Sequence, residues 1–147
     1  MRTTPVTPDL ASRLRLDISR MARRLRQEAG ALLSPSQTAA LATIERHGPL
    51  TPSELAERER VQRPTVTRVL ARLEEAGLVA RAADPQDRRS SLVSISNDGR
   101  ALLDAARARK DAYLARRIDA LDAADREALE RAAAILERML MPGEGGE

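Results

Sequence analysis

The sequence predicts a mainly α-helical fold of the α+β class, in which two short β-strands interrupt a succession of helices. Over most of the 147 residues, apolar side chains recur three and four positions apart, which is the spacing of helices with one buried face. Strand-like alternation of apolar and polar residues is confined to two short stretches, around residues 79–81 and 93–95. With no Phe, no Trp and one Tyr, the chain must build its core from Leu, Ala, Val and Ile.

Composition excludes several kinds of site. The absence of cysteine excludes disulfides, thiol redox sensing and thiolate metal sites, and the lone histidine, His47, excludes a cluster of histidine ligands. We therefore expect neither a metal nor a cofactor. No apolar run approaches the roughly 18 residues of a membrane-spanning helix and no signal peptide opens the chain, so we expect a soluble, cytoplasmic protein.

The N-terminal third is predicted to form two helices. The first spans residues 8 to 29 and carries an apolar stripe. The second opens at Ser34, because a hydroxyl, a proline and a glutamine within Ser34–Gln37 form a capping box that satisfies free backbone N–H groups. This helix ends at His47, and Leu50 is expected to pair as a one-residue strand with the later hairpin.

Two further helices and a hairpin follow, and together they predict a winged helix-turn-helix. Thr51 opens the third helix with a second capping box, and after a tight turn the fourth helix runs over residues 62 to 76. Gly77 ends this helix, because glycine adopts positive φ without a steric cost. The two strands then enclose a turn, Asp84–Ser90, that holds two arginines. One stripe of the fourth helix is predicted to be buried, and its members are Val66, Val69, Leu70 and Leu73.

The rest of the fourth helix presents a basic surface that suits a DNA groove. Four arginines and no acid lie between residues 60 and 72. Arginine can form two hydrogen bonds with guanine or a phosphate, and threonine can bond a phosphate or a base edge or place its methyl group against thymine. A solvated helix face is the alternative, but a basic hairpin beside the helix favours a two-point grip on DNA. The predicted contacts are Arg63, Pro64, Thr65, Thr67, Arg68 and Arg72 on the helix, with Thr65 and Arg68 at base edges, and Arg88 and Arg89 on the hairpin.

Two more helices are predicted to complete the chain. Ser96 caps a fifth helix that runs to about Ile118, and a sixth helix follows from Ala123 to Met141. The predicted organisation is therefore an N-terminal dimerisation helix (1–33), a DNA-binding module (34–96), C-terminal dimerisation helices (97–141) and a flexible tail (142–147).

The terminal helices carry more apolar surface than one copy can bury, which predicts a homodimer. Residues 1–26 contain seven arginines against two acids, net +5, whereas residues 119–147 contain eight acids against three arginines, net −5. We therefore expect the first and last helices to lie together in the dimer, with some ion pairs across the interface. Two unrelated solvated faces are the alternative, since exposed ion pairs contribute at most about 1 kcal/mol.

Several motifs, taken in their order and spacing, closely resemble the MarR family of bacterial transcription regulators. They are LSPSQTAAL, GPLTPSELAE, RPTVTRVLARLEEAGLVAR and DPQDRRSSLVSIS, and the resemblance covers roughly residues 10–140. It implies a dimeric repressor, or less often an activator, that binds a pseudo-palindrome in double-stranded DNA. It also implies that the predicted helix contacts other than Arg63 read the major groove, and that Arg88 and Arg89 enter the minor groove. By the same resemblance, Asp84 or Asp87 braces one of these wing arginines.

The chain departs from the family pattern at Glu59 and Arg60, where members usually have an apolar residue and then glycine. If the turn keeps its usual shape, Arg60 must adopt positive φ at a cost on the order of 1 kcal/mol. Otherwise the third helix runs on and the turn is remodelled. The sequence leaves both alternatives open.

The resemblance also implies release by a small aromatic or anionic effector, held in a cleft between the dimer helices and the winged module. The predicted lining is Leu14, Ile18, Leu41, Ile44 and His47, with an arginine opposite the anion. Aromatic stacking partners for such a ligand are nearly absent, and the same residues more often form an ordinary core.

Two other functional classes remain open beside a DNA-binding regulator. One is an adaptor that uses the winged fold to bind a protein partner, and the departure at Glu59 and Arg60 is the feature that favours it. The other, and the least favoured, is an enzyme, because the sequence contains no Ser/His/Asp set, glycine-rich phosphate loop or metal cluster.

Overall fold

The computed structural model describes residues 8–30 and 32–143 of the protein. These residues fall into two compact units that divide after Lys110, within a continuous helix. The first unit holds the winged module together with the N-terminal helix. Of the predicted tail, residues 144–147 lie outside the described part of the chain.

The described residues form six helices and two strands, in the predicted order. The helix ends that the sequence predicted agree with the structure to within one residue, each strand extends two residues further towards the loop than predicted, and the mainly α-helical fold is confirmed. The elements are α1 (Pro8–Ala29), α2 (Pro35–His47), α3 (Pro52–Glu59), α4 (Arg63–Glu75), β1 (Val79–Ala83), β2 (Ser91–Ile95), α5 (Asn97–Asp119) and α6 (Ala123–Leu140).

Both predicted capping boxes are present. At the start of α2, the Gln37 N–H donates to Ser34 Oγ (3.2 Å) and the Ser34 N–H donates to Gln37 Oε1 (3.0 Å). At the start of α3, the Glu54 N–H donates to Thr51 Oγ1 (3.1 Å), and the Glu54 carboxylate accepts the Thr51 N–H (3.4 Å). Each box fixes the first turn of its helix, because it gives partners to backbone groups that the helix itself leaves free.

The core lies where α2, α3, α4 and the hairpin meet. The predicted buried stripe of α4 is confirmed for Val66, Leu70 and Leu73, and Val69 packs against the same cluster while partly exposed. The remaining large side chains that are fully buried come from the neighbouring elements, and they are Leu41, Ile44, Leu50, Leu55 and Val93. This cluster fixes the orientation of α4, so its opposite face is presented to solvent by a rigid support.

The hairpin pairs β1 and β2 antiparallel, with Val79 opposite Ile95 and Ala83 opposite Ser91. The predicted one-residue strand at Leu50 is confirmed. The Leu50 N–H donates to the Val93 carbonyl (3.1 Å), and the Val93 N–H donates to the Leu50 carbonyl (2.8 Å). The middle of β2 is therefore joined to the segment between α2 and α3.

The start of α5 packs against the end of α4 through Ser96 and Gly99. The Ser96 hydroxyl donates to the Gly77 carbonyl (2.7 Å) and accepts the Gly99 N–H (3.0 Å), which confirms Ser96 as the cap of α5. Gly99 is buried against the segment between α4 and β1. A Cβ at this position would lie 2.3 Å from the Leu78 carbonyl oxygen. Only glycine fits this approach without a shift of the backbone.

Helices α1 and α6 carry most of the large apolar side chains that are exposed in the described chain. On α1, Leu10, Leu14 and Ile18 are 47%, 40% and 50% exposed, and on α6, Met139 and Leu140 are 68% and 83% exposed. Among the described residues, no helix has the length and apolar content required to cross a membrane.

Candidate DNA-contacting surface

The six residues predicted for the fourth helix lie on the surface of α4, and we call them the basic face. Five of them are exposed and Thr65 is half-buried. By helical spacing, Pro64 and Arg68 lie opposite the buried stripe. Arg63 and Thr67 lie on one side of them, and Thr65 and Arg72 lie on the other. The first three turns of α4 contain no acid, and of the two glutamates in its last turn Glu74 is paired with Arg81 (3.0 Å).

The turn that leads into α4 keeps a left-handed residue at Arg60, with φ 54° and ψ 44°. The Arg60 N–H donates to the Glu57 carbonyl (3.2 Å) and the Val61 N–H donates to the Ala56 carbonyl (3.1 Å), which is the hydrogen-bond pattern of a Schellman C-cap. The Glu59 carboxylate accepts a hydrogen bond from the Thr43 hydroxyl, which anchors the end of α3 to α2. The helix therefore ends at Glu59, and of the two alternatives the strained turn is correct.

Replacement of Arg60 by glycine is expected to stabilise the fold by about 1 kcal/mol, because glycine removes the steric cost of the left-handed conformation. Gly77 occupies the corresponding position after α4, with φ 71° and the same pair of hydrogen bonds. Urea unfolding followed by circular dichroism measures the change. The control is Arg58→Gly, which lies inside the last turn of α3 and should cost about 1 kcal/mol. Equal stability of the Arg60→Gly variant and the wild type would contradict the assignment of strain.

Two residues of the basic face are already engaged within the protein. Arg63 Nη1 donates to the hydroxyl of Ser53 on α3, and the Thr67 hydroxyl donates to the Arg63 carbonyl one turn earlier (3.1 Å). The guanidinium groups of Arg68 and Arg72 form no hydrogen bond or ion pair with any other residue of 8–30 or 32–143. Their guanidinium groups can therefore bind a ligand without first breaking an internal contact.

The hairpin loop presents Arg88 and Arg89 at an exposed tip. The Asp84 N–H donates to the Ser90 carbonyl (3.2 Å) and the Ser90 N–H donates to the Asp87 carbonyl (3.0 Å), so the loop closes on itself. The Asp84 carboxylate accepts the Gln86 N–H (2.9 Å), and the Asp87 carboxylate accepts the Arg89 N–H (3.0 Å). Both acids therefore bind backbone N–H groups of the turn, and no ion pair joins either of them to an arginine among the described residues.

The five residues predicted to line an effector cleft are not brought together. Leu41 and Ile44 are fully buried in the core, whereas Leu14 and Ile18 are exposed on α1 and His47 is exposed at the end of α2. The prediction is wrong for Leu41 and Ile44, because the face of α2 that carries them packs against α3, α4 and the hairpin.

A groove of about 780 Å³ lies elsewhere in the same unit, between the second half of α1, the start of α2 and the first half of α5. Its walls are largely apolar, with Leu25, Leu33 and Leu103 among them. The charged residues that line it are all cationic, and they are Arg23, Arg26, Arg109 and Lys110. Arg109 Nη1 donates to the carbonyl of Ala29 at the end of α1 (2.8 Å), which ties two walls of the groove together. Sequence reasoning missed these residues because the two walls are about 80 positions apart in the chain.

Comparison with known proteins bears on the function of this surface. The family model described as MarR family matches residues 33–91. An HTH-type transcriptional regulator of Mycobacterium bovis is 42% identical over 128 residues, which is 86% of this chain and 90% of that protein. The HTH-type transcriptional repressor MdtR of Bacillus subtilis is 36% identical over 84 residues, covering 57% of this chain and 54% of that protein.

Solved structures share the fold over nearly the whole chain. A transcriptional regulator protein from Pseudomonas aeruginosa PA01 superposes with a TM-score of 0.83 and 36% identity, over 94% of this chain and 99% of that one. A mutant of S. aureus MepR bound to an oligodeoxyribonucleotide superposes with a TM-score of 0.71 and 21% identity, over 90% of this chain and 98% of that one.

Proposed function

The chain belongs to the MarR family of transcription regulators, and we propose that it binds a pseudo-palindromic operator in double-stranded DNA as a homodimer and acts as a repressor. The observation that carries the proposal is the basic face of α4, whose arginines 68 and 72 are exposed and unpaired within the described chain. The MepR relative bound to an oligodeoxyribonucleotide supports the same role. We place the protein in the cytoplasm and assign it no catalytic activity.

In this proposal α4 enters the major groove and the hairpin loop contacts the adjacent minor groove. Arg68 and Thr65 contact base edges, because Arg68 lies at the middle of the exposed face and Thr65 lies in the first turn of α4. Arg63 and Arg72 neutralise phosphates on either side. Arg88 and Arg89 contact the minor groove or its phosphates, and the carboxylates of Asp84 and Asp87 hold the loop in the conformation that presents them.

The homodimer is proposed because α1 and α6 each expose a row of large apolar side chains. A second copy would cover them and would place two copies of α4 about 34 Å apart, on half-sites about 10 bp centre to centre. Sedimentation at micromolar concentration tests this, and a monomer would contradict it. Dissociation that responds to salt would support ion pairs between the basic α1 and the acidic C-terminal region, whereas a salt-independent equilibrium would exclude them.

The groove beside α1 and α5 is proposed to bind a small apolar anion that releases the operator. Among the described residues, its lining combines apolar side chains with cationic groups and no acid, which suits an aromatic carboxylate or phenolate. A panel of phenolic acids tests this through the thermal midpoint, which rises when a ligand binds the folded state. Absence of any shift would favour a regulator without such an effector.

Selection from a random duplex library by the purified protein tests the operator-binding function directly. An enriched inverted repeat with half-sites about 10 bp apart is the expected result. Binding without enrichment would replace the proposal with a backbone-only architectural role. Failure to bind any duplex would favour the adaptor. The departure at Glu59 and Arg60 that favoured the adaptor does not remodel the turn, because Arg60 keeps the left-handed conformation.

Replacement of Arg88 by alanine is expected to weaken operator binding and to reduce the slope of log affinity against log salt by about one. The physical reason is the loss of one phosphate-neutralising charge from the wing. Arg131→Ala on α6 is the control, because it removes the same charge from a helix outside the winged module. Fluorescence anisotropy over a range of salt concentrations measures both variants, and an Arg88→Ala protein with unchanged affinity and slope would remove the wing from the interface.

A further inference from the structure

The hydroxyl of Thr67 is committed to its own helix. Thr67 Oγ1 donates to the carbonyl of Arg63 (3.1 Å), and the residue is exposed on the basic face. A hydroxyl has one hydrogen to donate. Thr67 therefore cannot donate to a phosphate oxygen, to guanine or to thymine O4 unless it first gives up this internal bond.

The same bond determines where the methyl group of Thr67 lies. Threonine has two heavy substituents on Cβ in staggered positions, and in Thr67 the hydroxyl takes the position that reaches the Arg63 carbonyl one turn earlier. The methyl group then occupies a different staggered position, away from that carbonyl. Because Thr67 is exposed, this methyl group is available to a ligand at the surface of α4.

Ala71 adds to the apolar surface that the methyl group of Thr67 provides on this row of α4. Ala71 lies one turn after Thr67 and is also exposed, so it adds a second methyl group four residues on. Arg63, one turn before Thr67, donates to Ser53 of α3. The adjacent row carries Arg68 and Arg72, whose guanidinium groups are free to form hydrogen bonds.

We propose that Thr67, through its methyl group, selects thymine in each operator half-site by packing against the thymine 5-methyl group. This inference rests on the proposed function and assigns different kinds of contact to two neighbouring rows of α4. The row of Arg68 and Arg72 reads base edges and phosphates through hydrogen bonds, and the row of Thr67 and Ala71 reads a methyl group in the major groove. Thymine is the only base with a methyl group there.

The test combines two variants of Thr67 with deoxyuridine, which is thymidine without its 5-methyl group. Thr67→Val keeps the methyl and removes the hydroxyl, whereas Thr67→Ser keeps the hydroxyl and removes the methyl. Each thymine of the selected operator is replaced by deoxyuridine in turn, and affinity is measured for the wild type and both variants. At one thymine in each half-site, the replacement should weaken wild-type and Thr67→Val binding about fourfold, the value of one buried methyl group, and leave Thr67→Ser unchanged.

The possible outcomes separate this inference from the function on which it rests. If the wild type enriches no repeat, the operator-binding function itself fails. If a repeat is enriched but no thymine in it is sensitive to deoxyuridine, or Thr67→Ser keeps the wild-type sensitivity, the role of Thr67 is overturned. If Thr67→Val loses the thymine preference and Thr67→Ser retains it, the hydroxyl is the reading group and the proposal is wrong. The deoxyuridine series with wild-type protein stands even where a variant folds poorly.

Discussion

Replacement of Arg68 by alanine is expected to lower the affinity for the selected operator by a factor of roughly 10 to 100, the effect of losing a two-bond contact with guanine. Arg68 lies in the middle of the exposed face of α4, and its guanidinium has no partner among the described residues. No internal contact therefore offsets the loss. Anisotropy titrations with the operator and with a scrambled duplex measure the change in affinity and in specificity.

Arg68→Lys is the matched control, because it keeps the charge and removes the planar fork. We expect the lysine variant to bind the scrambled duplex as tightly as the wild type does, but to lose preference at one base pair in each half-site. If lysine restores both affinity and base preference, Arg68 contacts a phosphate and the base-edge assignment is wrong.

Replacement of Gly99 by alanine is expected to lower the free energy of unfolding by about 3 kcal/mol, at the upper end of the usual cost of overpacking. The added Cβ would lie 2.3 Å from the Leu78 carbonyl oxygen and 2.8 Å from Ile95 Cγ1. The carbonyl has little freedom to move, because it accepts the Ser96 N–H (3.0 Å) and belongs to a buried residue. The start of α5 must therefore shift away from the hairpin. Urea unfolding measures the loss.

Gly77→Ala is the control for this effect, because it adds the same methyl group where no heavy atom lies within 4 Å. Its cost should come from the positive φ alone, at about 1 kcal/mol. Similar losses for the two variants would show that the close approach at Gly99 relaxes freely, and the packing argument would then fail.

Local rules were sufficient for the features that depend on a few consecutive residues. Ser34 and Thr51 predicted both capping boxes, since each box lies within four positions of the chain. The left-handed turn at Arg60 could be stated as one of two alternatives. The choice between them also involves the Thr43–Glu59 hydrogen bond, which joins residues 16 positions apart and cannot be read from the turn alone.

Features that depend on which surfaces meet in space could not be predicted in the same way. Leu41 and Ile44 are apolar, and apolar residues line ligand clefts and protein cores alike. Only their packing against the other helices of the winged module places them in the core. The reason for glycine at position 99 lies in a carbonyl 21 positions earlier. Within the wing, a carboxylate two residues from an arginine can bind either its guanidinium or a backbone N–H, and the turn geometry selects the backbone.

Because Leu50 pairs with Val93 in the middle of β2, we expect the strands of the wing to be stiffer than the loop at its tip. Val93 is buried and bonded to a segment outside the hairpin, whereas the hydrogen bonds that the loop from Asp84 to Ser90 forms among the described residues lie within its own turn. Amide hydrogen exchange should therefore be slow at Val93 and fast at Arg88 in the free protein. In the proposed complex with DNA, we expect most of the conformational entropy to be lost at this loop, so that its arginines adjust to grooves of different width while β2 keeps its place in the module.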